Sequence, residues 1–222
     1  RPVVNLEAGM DKKQNVNQTA AILAKRFPSR VRLREWLKNY TTYQVGGPAA
    51  AICFPGNRAE LQEMLQFCQQ QQTPVYLLGS GSNILVHDQG LDMIVFQLGE
   101  CCSELSHNHN LVNAGAGVLV ADLVKYCEQK ELAGLDFLAG IPGTVGGALR
   151  MNAGAFVGEI GDRVVTIDAM TYGGEYLTIK GEAAGFGYRQ ANHLQDKIML
   201  GCQLRMLQGT REELAKAREG YL

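Results

Sequence analysis

Glycine is concentrated in one stretch of the chain, residues 140–148, which read GIPGTVGGA. These nine residues include four glycines and one proline, and Gly154 follows shortly afterwards. Glycine lets the backbone adopt positive φ angles and lets another group approach closely, whereas Pro142 fixes φ and removes an N–H donor. The remaining N–H groups can line a concave loop that accepts phosphate oxygens. The stretch therefore predicts either a phosphate-binding or cofactor-binding loop, or a tight turn packed under a neighbouring strand.

A second glycine-rich loop favours the binding interpretation. Gly79-Ser80-Gly81-Ser82-Asn83 comes directly after an apolar run at 74–78 that predicts a strand. Its serine hydroxyls and N–H groups are suitable donors to phosphate oxygens. A Rossmann site is disfavoured, because Val120 replaces the third glycine of the fingerprint that Gly115-x-Gly117 begins, and no acidic residue is placed for the ribose. No Walker loop occurs in the sequence.

The bulk composition limits the classes of protein to consider. The 222 residues suit one large domain or two small ones, and 46% hydrophobic with 19% charged residues is ordinary for a globular protein. A net charge of −1 gives no basic surface for nucleic acid, and no apolar run is long enough to span a membrane. We see no secretory signal and expect a cytoplasmic protein, while Arg at position 1 leaves open a trimmed or fused start.

The six cysteines predict reduced thiols and no metal site. None forms a Cys-x-x-Cys pair, and Cys68 and Cys127 fall on apolar helix faces, where a free thiol behaves as a small hydrophobe. The polar region 100–110, which carries Cys101, Cys102 and two histidines, is predicted to be a loop rather than a zinc site.

Hydrophobic periodicity gives the order of the elements. We predict loose order up to residue 16, a helix over 17–27, and then a strand at 49–54, a helix, and strands at 74–78, 84–86 and 93–98. A second set follows, with a strand at 111–114, a helix over 119–130, a hairpin of strands 163–172 and 175–179, and a strand at 197–206. Asn57 with Glu60, and Thr210 with Glu213, predict capping boxes that open the helix after residue 57 and a last helix that runs to Leu222.

Five short segments keep a characteristic order and spacing from about residue 39 to the end. They are Thr41-Thr42-x-x-Val45-Gly46-Gly47, Leu78-Gly79-Ser80-Gly81-Ser82-Asn83, the stretch from Gly140 to Ala148, Asn152-Ala153-Gly154-Ala155, and Tyr188-Arg189. Each is weak alone, but together they resemble the bacterial UDP-N-acetylenolpyruvoylglucosamine reductases, flavoenzymes of peptidoglycan precursor synthesis. The resemblance implies an α+β fold, an FAD-binding module of the vanillyl-alcohol-oxidase type with two α+β subdomains.

The resemblance also implies the site residues. Non-covalent FAD would contact Tyr43, Val45, Gly46, Gly47, Leu78, Gly79, Ser80, Gly81, Ser82, Asn83, Gly140, Ile141, Pro142, Gly143, Thr144, Gly146, Gly147, Ala148, Asn152, Ala153, Gly154 and Ala155. Tyr188 and Arg189 would bind substrate, and Arg189 matches the family's catalytic arginine. In that family NADPH supplies hydride to FAD, and the reduced flavin then supplies it to the enolpyruvyl group of UDP-N-acetylglucosamine enolpyruvate. A surface arginine in an ion pair is the structural alternative for Arg189.

Two departures from the family pattern matter. Ala191 stands where the family usually has Ser or Thr, two residues after the arginine. The family's third domain, with its proton-donating serine and catalytic glutamate, would lie beyond Leu222, so we expect FAD binding without turnover from these 222 residues. The predicted divisions are an N-terminal segment at 1–38, FAD-binding subdomains at 39–100 and 101–208, and the start of a linking helix at 209–222. A monomer is favoured.

Two other hypotheses remain open. One is another oxidoreductase of the same flavin fold, such as an aldonolactone oxidase, many of which link flavin covalently through a histidine in the phosphate loop. No histidine lies in the Gly79–Asn83 loop, and the nearest, His87, follows the predicted strand at 84–86, which argues against covalent flavin. The other is a non-catalytic nucleotide-binding or scaffold module, against which the retained Tyr188-Arg189 argues weakly.

Overall fold

The computed structural model describes residues 10–155 and 158–220, and these fall into two compact units. The first unit runs to Cys101 and includes Tyr172–Gly174. The second unit comprises Cys102–Thr171 and the chain from Glu175 onward. None of the described helices is long and apolar enough to cross a membrane.

The first unit is a four-stranded mixed sheet with two helices. Its strands, in the spatial order β1-β2-β4-β3, are β1 (Val31–Leu33), β2 (Ala49–Cys53), β3 (Val75–Leu77) and β4 (Leu91–Phe96). Strand β4 lies parallel to both β2 and β3, whereas β1 pairs antiparallel with β2. The helices are α1 (Met10–Arg26) and α2 (Arg58–Gln70), and a short 3-10 helix spans Leu37–Tyr40. The predicted strand–helix–strand order at 49–78 is confirmed.

Helix α1 begins earlier than predicted, so the expectation of loose order is wrong for residues 10–16, while residues 1–9 lie outside the described part. The helix packs on β1, β2 and β4, with Val16 and Leu23 buried. Its polar side also has partners: the Asn15 amide donates to the Gln71 carbonyl at 2.9 Å, and the Thr19 hydroxyl lies 2.8 Å from that of Thr73. The helix predicted over 17–27 is therefore present, and tertiary contacts stabilise the earlier turns that the sequence periodicity did not predict.

Helix α2 follows its sequence signals closely. The Asn57 side chain accepts a hydrogen bond from the Glu60 N–H at 2.9 Å, as an N-cap should. The Glu60 carboxylate accepts from the N–H of Gly56, one residue before the cap. The buried face of the helix consists of the predicted apolar positions Leu61, Met64, Leu65 and Cys68.

The predicted strand at 84–86 is wrong. Ile84 and Val86 are buried and Leu85 is exposed, so the alternation of a strand is present, but this segment pairs with no strand among the described residues. Its apolar side chains enter the core that contains Leu37, Leu78 and Val95. A segment that is buried on one side alternates between apolar and exposed residues even when it pairs with no strand, and this alternation led to the wrong prediction.

The second unit is built on an antiparallel sheet of five strands in the spatial order β11-β10-β14-β6-β5. These are β5 (Leu105–Asn108), β6 (Leu111–Gly115), β10 (Val164–Thr171), β11 (Tyr176–Lys180) and β14 (Lys197–Arg205). Three two-stranded pairs accompany it: β7 (Leu132–Ala133) with β15 (Leu207–Gln208), β8 (Gly154–Ala155) with β9 (Gly158–Glu159), and β12 (Phe186–Gly187) with β13 (Gln190–Ala191). The predicted β10–β11 hairpin is confirmed.

Strand β5 lies inside the region predicted to be a polar loop, so that prediction is wrong for residues 105–108. The strand is at the edge of the sheet and pairs only with β6, from Leu105 opposite Ala114 to Asn108 opposite Leu111. Three of its four residues are polar and exposed, so no apolar alternation announced it. Edge strands commonly carry such polar residues.

The helices of the second unit are α3 (Val120–Gln129), α4 (Val145–Arg150) and α5 (Arg211–Gly220). Helix α3 buries the predicted stripe Val120, Leu123, Val124 and Cys127. Helix α5 opens with the full capping box: the Glu213 N–H donates to the Thr210 hydroxyl, and the Thr210 N–H donates to the Glu213 carboxylate. The last two residues of the predicted helix, 221–222, lie outside the described part. Short 3-10 helices span Asp136–Leu138, Ile160–Asp162, Gly181–Ala183 and Asn192–Leu194.

Candidate functional site

The loop after β3 holds a buried hydroxyl with no partner. Leu78 is tied into the sheet by its N–H, which donates to the Phe96 carbonyl at 2.9 Å, and the chain then turns sharply through Gly79–Asn83. The Ser80 Oγ is buried, yet it has no hydrogen-bond partner in the part of the chain that the structure describes. Leaving a buried hydroxyl unpaired costs about 1–3 kcal/mol. The Ser80 hydroxyl is therefore an available donor for a ligand oxygen.

The backbone of the same loop is also unsatisfied. Within the described ranges, the N–H groups of Gly79, Ser80, Gly81 and Asn83 have no hydrogen-bond acceptor. Gly81 has φ +69°, and a Cβ there would lie 2.0 Å from the Tyr40 carbonyl oxygen, so only glycine fits. The loop thus has four backbone N–H groups and one hydroxyl with no acceptor among the described residues, and groups of these kinds donate to phosphate oxygens.

The segment 41–47 lies against this loop in the first unit. The Thr42 N–H donates to the Gly81 carbonyl at 3.1 Å, and the Thr41 hydroxyl closes its own segment by donating to the Val45 carbonyl at 3.0 Å. A Cβ on Gly46 would lie 2.7 Å from the Val86 side chain, and one on Gly47 would lie 2.1 Å from the Asp88 carbonyl oxygen. The two glycines are thus required by close backbone packing, while Tyr43 and Val45 are exposed and available for contact.

In the second unit the glycine-rich stretch is partly helical, which the sequence did not predict. Thr144 caps α4 by accepting from the Gly147 N–H at 3.3 Å, and Gly146 and Gly147 lie inside the helix. The N–H groups of Val145 and Gly146 donate to carbonyls of Val118 and Ala116. A Cβ on Gly146 would lie 3.0 Å from the Ala116 Cβ, so this glycine serves close packing. The residues from Thr144 onward in this stretch therefore cap and pack helix α4.

The N–H groups that remain for a ligand lie just before the helix. Gly143 and Thr144 have no acceptor for their N–H groups among the described residues, and Gly143 has φ +136°. Gly140 is also in the left-handed region and Pro142 is exposed, whereas Ile141 is half-buried against the core. Because the Ile141 N–H donates to the Leu138 carbonyl and Pro142 has no N–H, Gly143 and Thr144 remain as N–H donors with no acceptor among the described residues.

Other predicted contacts are buried. Leu78, Ala148 and Ala153 are at most 5% exposed, so little of each residue is accessible to a ligand. Gly154 and Ala155 pair with β9. Asn152 is 1% exposed and its amide is engaged by other residues of the protein, including Glu159. The sequence analysis did not identify Glu159, because a single glutamate in the two-residue strand β9 carries no periodic signal.

Tyr188 and Arg189 form the tip of the tight hairpin between β12 and β13. Tyr188 is 83% exposed and Arg189 is exposed, with its guanidinium 6.0 Å from the centre of the Tyr188 ring. Arg189 has φ +57°, an unusual conformation for a side chain of this size. Among the described residues it has no ion-pair partner, which disfavours the structural alternative of an ion pair. The Arg189 guanidinium is thus exposed and has no ion-pair partner among the described residues.

The cysteines are free and buried. Burial raises the pKa of the Cys68, Cys127 and Cys202 thiols to about 12, and it raises the pKa of Cys53 further. These thiols are therefore unreactive as nucleophiles near neutral pH. Within the described ranges, no group of three His, Cys, Asp or Glu side chains is arranged to hold a metal ion.

Comparison with known proteins identifies a family. Residues 49–180 match the FAD binding domain family. The UDP-N-acetylenolpyruvoylglucosamine reductase of Rickettsia massiliae is 35% identical over 178 residues, which are 80% of this chain and 60% of that protein. The chain thus spans about six tenths of the length of this curated relative.

Solved structures agree with the sequence comparison. The crystal structure of UDP-N-acetylenolpyruvylglucosamine reductase from Thermus caldophilus superposes with a TM-score of 0.74 at 33% identity, covering 86% of this chain and 68% of that one. The 4-ethylphenol oxidase from Gulosibacter chungangensis, at 12% identity, shares the fold with a TM-score of 0.65 and covers 91% of this chain and 44% of its own. The expected α+β module of the vanillyl-alcohol-oxidase type is confirmed. The chain therefore belongs to the UDP-N-acetylenolpyruvoylglucosamine reductase family.

Proposed function

We propose that the chain is the FAD-binding part of an enzyme that uses NADPH to reduce the enolpyruvyl group of UDP-N-acetylglucosamine enolpyruvate. The product would be UDP-N-acetylmuramate, a precursor of peptidoglycan. The relatives named above support the reaction, and the loop chemistry of this chain supports the cofactor. Because the chain spans about six tenths of the Rickettsia relative, the activity of the whole enzyme remains a proposal for these residues.

The buried, unpartnered hydroxyl of Ser80 carries the cofactor assignment. In the proposal, Ser80 Oγ and the neighbouring N–H groups of Gly79 and Gly81 donate to pyrophosphate oxygens of FAD. Hydrogen bonds to a charged acceptor contribute about 1.5–3 kcal/mol, so a few of them hold the group without a basic side chain. Gly143 and Thr144 of the second unit offer further N–H donors. None of these residues forms a covalent link.

Arg189 is proposed as the catalytic residue. When bound, FAD supplies the redox chemistry by carrying a hydride between NADPH and the enolpyruvyl double bond. Hydride addition to that double bond places negative charge next to the substrate carboxylate. The planar guanidinium of Arg189 can pair with the carboxylate through two parallel hydrogen bonds and offset that charge. The exposed Tyr188 ring lies with its centre 6.0 Å from the guanidinium.

The experiment is steady-state kinetics on a protein that spans the full length of the relatives. Arg189→Ala should lower kcat by about 10²–10³ while FAD binding is retained, because one charge-stabilising contact is removed. Arg189→Lys should recover only part of the loss, since an ammonium cannot form the bidentate pair. Arg34→Ala is a matched control: Arg34 is also exposed, with φ +50° and no ion pair among the described residues.

The outcome is decided by two comparisons. Wild-type-like turnover in Arg189→Ala would refute the catalytic role, and an equal loss in Arg34→Ala would show that the effect is not specific. We further propose that the 222 residues alone bind FAD but do not turn over. Flavin that NADPH bleaches and the enolpyruvyl substrate restores, in these 222 residues alone, would contradict that part.

A further inference from the structure

Asn152 occupies an unusual place at the end of α4. It is 1% exposed and has φ +42°, in the left-handed region that asparagine and aspartate tolerate better than other side chains do. Its backbone N–H donates to the Leu149 carbonyl at 3.2 Å. The buried amide therefore faces the interior of the second unit rather than solvent.

The side-chain amide of Asn152 is fully used by the protein. Its Nδ2 donates to Glu159 Oε2 at 2.5 Å and to the Gly187 carbonyl at 3.1 Å, and its Oδ1 accepts from the Gly161 N–H at 3.0 Å. An amide nitrogen carries two hydrogens, so no donor is left for a ligand. The Asn152 side chain therefore has no N–H left to donate to FAD, which was one way for it to make the FAD contact that the resemblance implied.

Gly187 is the residue directly before the Tyr188-Arg189 turn. It pairs with Gln190 across that turn, so the Gly187 carbonyl marks the last anchored point before the tip. Phe186, one residue earlier, lies close to Gly161, whose N–H donates to Asn152: a Cβ on Gly161 would lie 2.7 Å from the Phe186 ring. Beyond Gly187 the tip itself is exposed and Arg189 has a positive φ.

We propose that Asn152 is a positioning residue for Arg189. Its bond to the Gly187 carbonyl fixes the base of the hairpin and thereby holds the turn that keeps Arg189 in its left-handed conformation. Glu159 supports it by fixing the amide, since Nδ2 is shared between the carboxylate and the carbonyl. The consequence for catalysis rests on the proposed function of Arg189, whereas the effect on the turn does not.

Asn152→Asp isolates the donor. Aspartate keeps the size, the tolerance for positive φ and the acceptor for the Gly161 N–H, but it loses both bonds made by Nδ2. It also places a second carboxylate beside Glu159. The double variant Asn152→Asp/Glu159→Gln lets the new glutamine amide donate to Asp at 152, so it restores the link between the two side chains and leaves only the Gly187 carbonyl without its donor.

The measurement is the rate at which trypsin cuts after Arg189 in the 222-residue chain, with no flavin, NADPH or substrate added. A tight turn must open before a protease can bind it, so the cleavage rate reports how often the hairpin opens. Asn152→Asp should raise the rate about tenfold, because of its two lost hydrogen bonds only the one to the Gly187 carbonyl holds the hairpin. Asn192→Asp is the matched control, since Asn192 is exposed nearby and its side chain has no hydrogen bond among the described residues.

The double variant separates positioning from general stability. We expect its melting temperature to return towards wild type while the cleavage rate after Arg189 stays raised about tenfold. Recovery of both quantities, or unchanged cleavage in a folded Asn152→Asp protein, would overturn the proposal. If neither variant folds, Asn152 supports the whole unit rather than the turn, and the proposal also fails.

A kinetic readout links the turn to catalysis. In a protein of the relatives' full length, the double variant should lower kcat/KM for the enolpyruvyl substrate about tenfold, with the Kd for FAD unchanged. Weaker FAD binding would instead assign Asn152 to the cofactor and overturn the proposal. A wild-type protein without turnover would refute the proposed function, while the cleavage result would still stand or fall by itself.

Discussion

Ser80→Ala should have opposite effects on the stability of the apoprotein and on FAD binding. In the absence of a ligand the variant removes a buried hydroxyl that has no partner among the described residues. The unpaired group costs about 1–3 kcal/mol, and the space left by one oxygen offsets only part of that gain. We expect the free energy of unfolding of the apoprotein to rise by about 1 kcal/mol, which corresponds to a melting temperature about 2–4 °C higher.

FAD binding should weaken in the same variant. A hydrogen bond from a hydroxyl to a charged phosphate oxygen contributes about 1.5–3 kcal/mol, so the Kd for FAD should rise by about 10- to 100-fold. Thermal unfolding of the apoprotein by circular dichroism gives the first quantity, and quenching of flavin fluorescence on titration gives the second. Ser106→Ala makes the same chemical change at an exposed position of β5 and should alter neither.

Each half of this prediction can fail separately. A less stable Ser80→Ala apoprotein would mean that the hydroxyl has a protein partner in solution, and the argument from the unpaired atom would be wrong. An unchanged Kd for FAD, with Ser106→Ala behaving as expected, would place the pyrophosphate elsewhere.

Three further outcomes follow from the packing. Gly81→Ala should lower the free energy of unfolding in urea titrations by about 3 kcal/mol, because Gly81 has φ +69° and a Cβ there would lie 2.0 Å from a carbonyl oxygen. Gly99→Ala is the control and should be neutral, because a Cβ at Gly99 would have nothing within 4 Å. Equal effects of the two variants would contradict this prediction. Thr144→Ala should cost about 1 kcal/mol by removing the cap of α4, and Thr144→Ser should restore it. Stability should fall as pH rises above 9.0, because the three thiols with a pKa of about 12 stay protonated in the native state while unfolded thiols ionise. Each thiol contributes about 1.4 kcal/mol per pH unit, so Cys68→Ala should reduce the slope between pH 9 and 11, and an unchanged slope would refute the assignment.

The elements that the sequence predicted well are those whose local signals and burial agree. Helix α2 has an N-cap and a periodic apolar face, and β10 and β11 have alternating patterns around two glycines. Helix α1 was predicted too short and strand β5 was not predicted, because residues elsewhere in the fold stabilise them. In α1, for example, Asn15 donates to the Gln71 carbonyl. Helix α4 was missed because two glycines oppose helix formation, whereas its Thr144 cap and the burial of Val145, Ala148 and Leu149 depend on the tertiary structure.

The candidate site was predictable as a set of segments but not as a set of contacts. Glycine and serine content identified the Gly79–Asn83 loop. The sequence does not show that the Ser80 hydroxyl has no partner among the described residues, whereas the Thr144 hydroxyl caps a helix. Likewise Asn152 belongs to a recognisable motif, but its engagement with Gly187 depends on residues 35 positions apart. Hydrogen-bond pairing at that separation is a property of the tertiary structure and leaves no periodic signal.

The most direct test of the account is the visible absorption spectrum of the purified 222-residue chain, recorded before and after unfolding. The account predicts a flavin spectrum, or its appearance when FAD is added, and release of free FAD when the chain unfolds. A colourless chain that takes up no FAD would contradict the assignment of the Gly79–Asn83 loop as the cofactor site, and flavin that stays with the unfolded chain would contradict non-covalent binding.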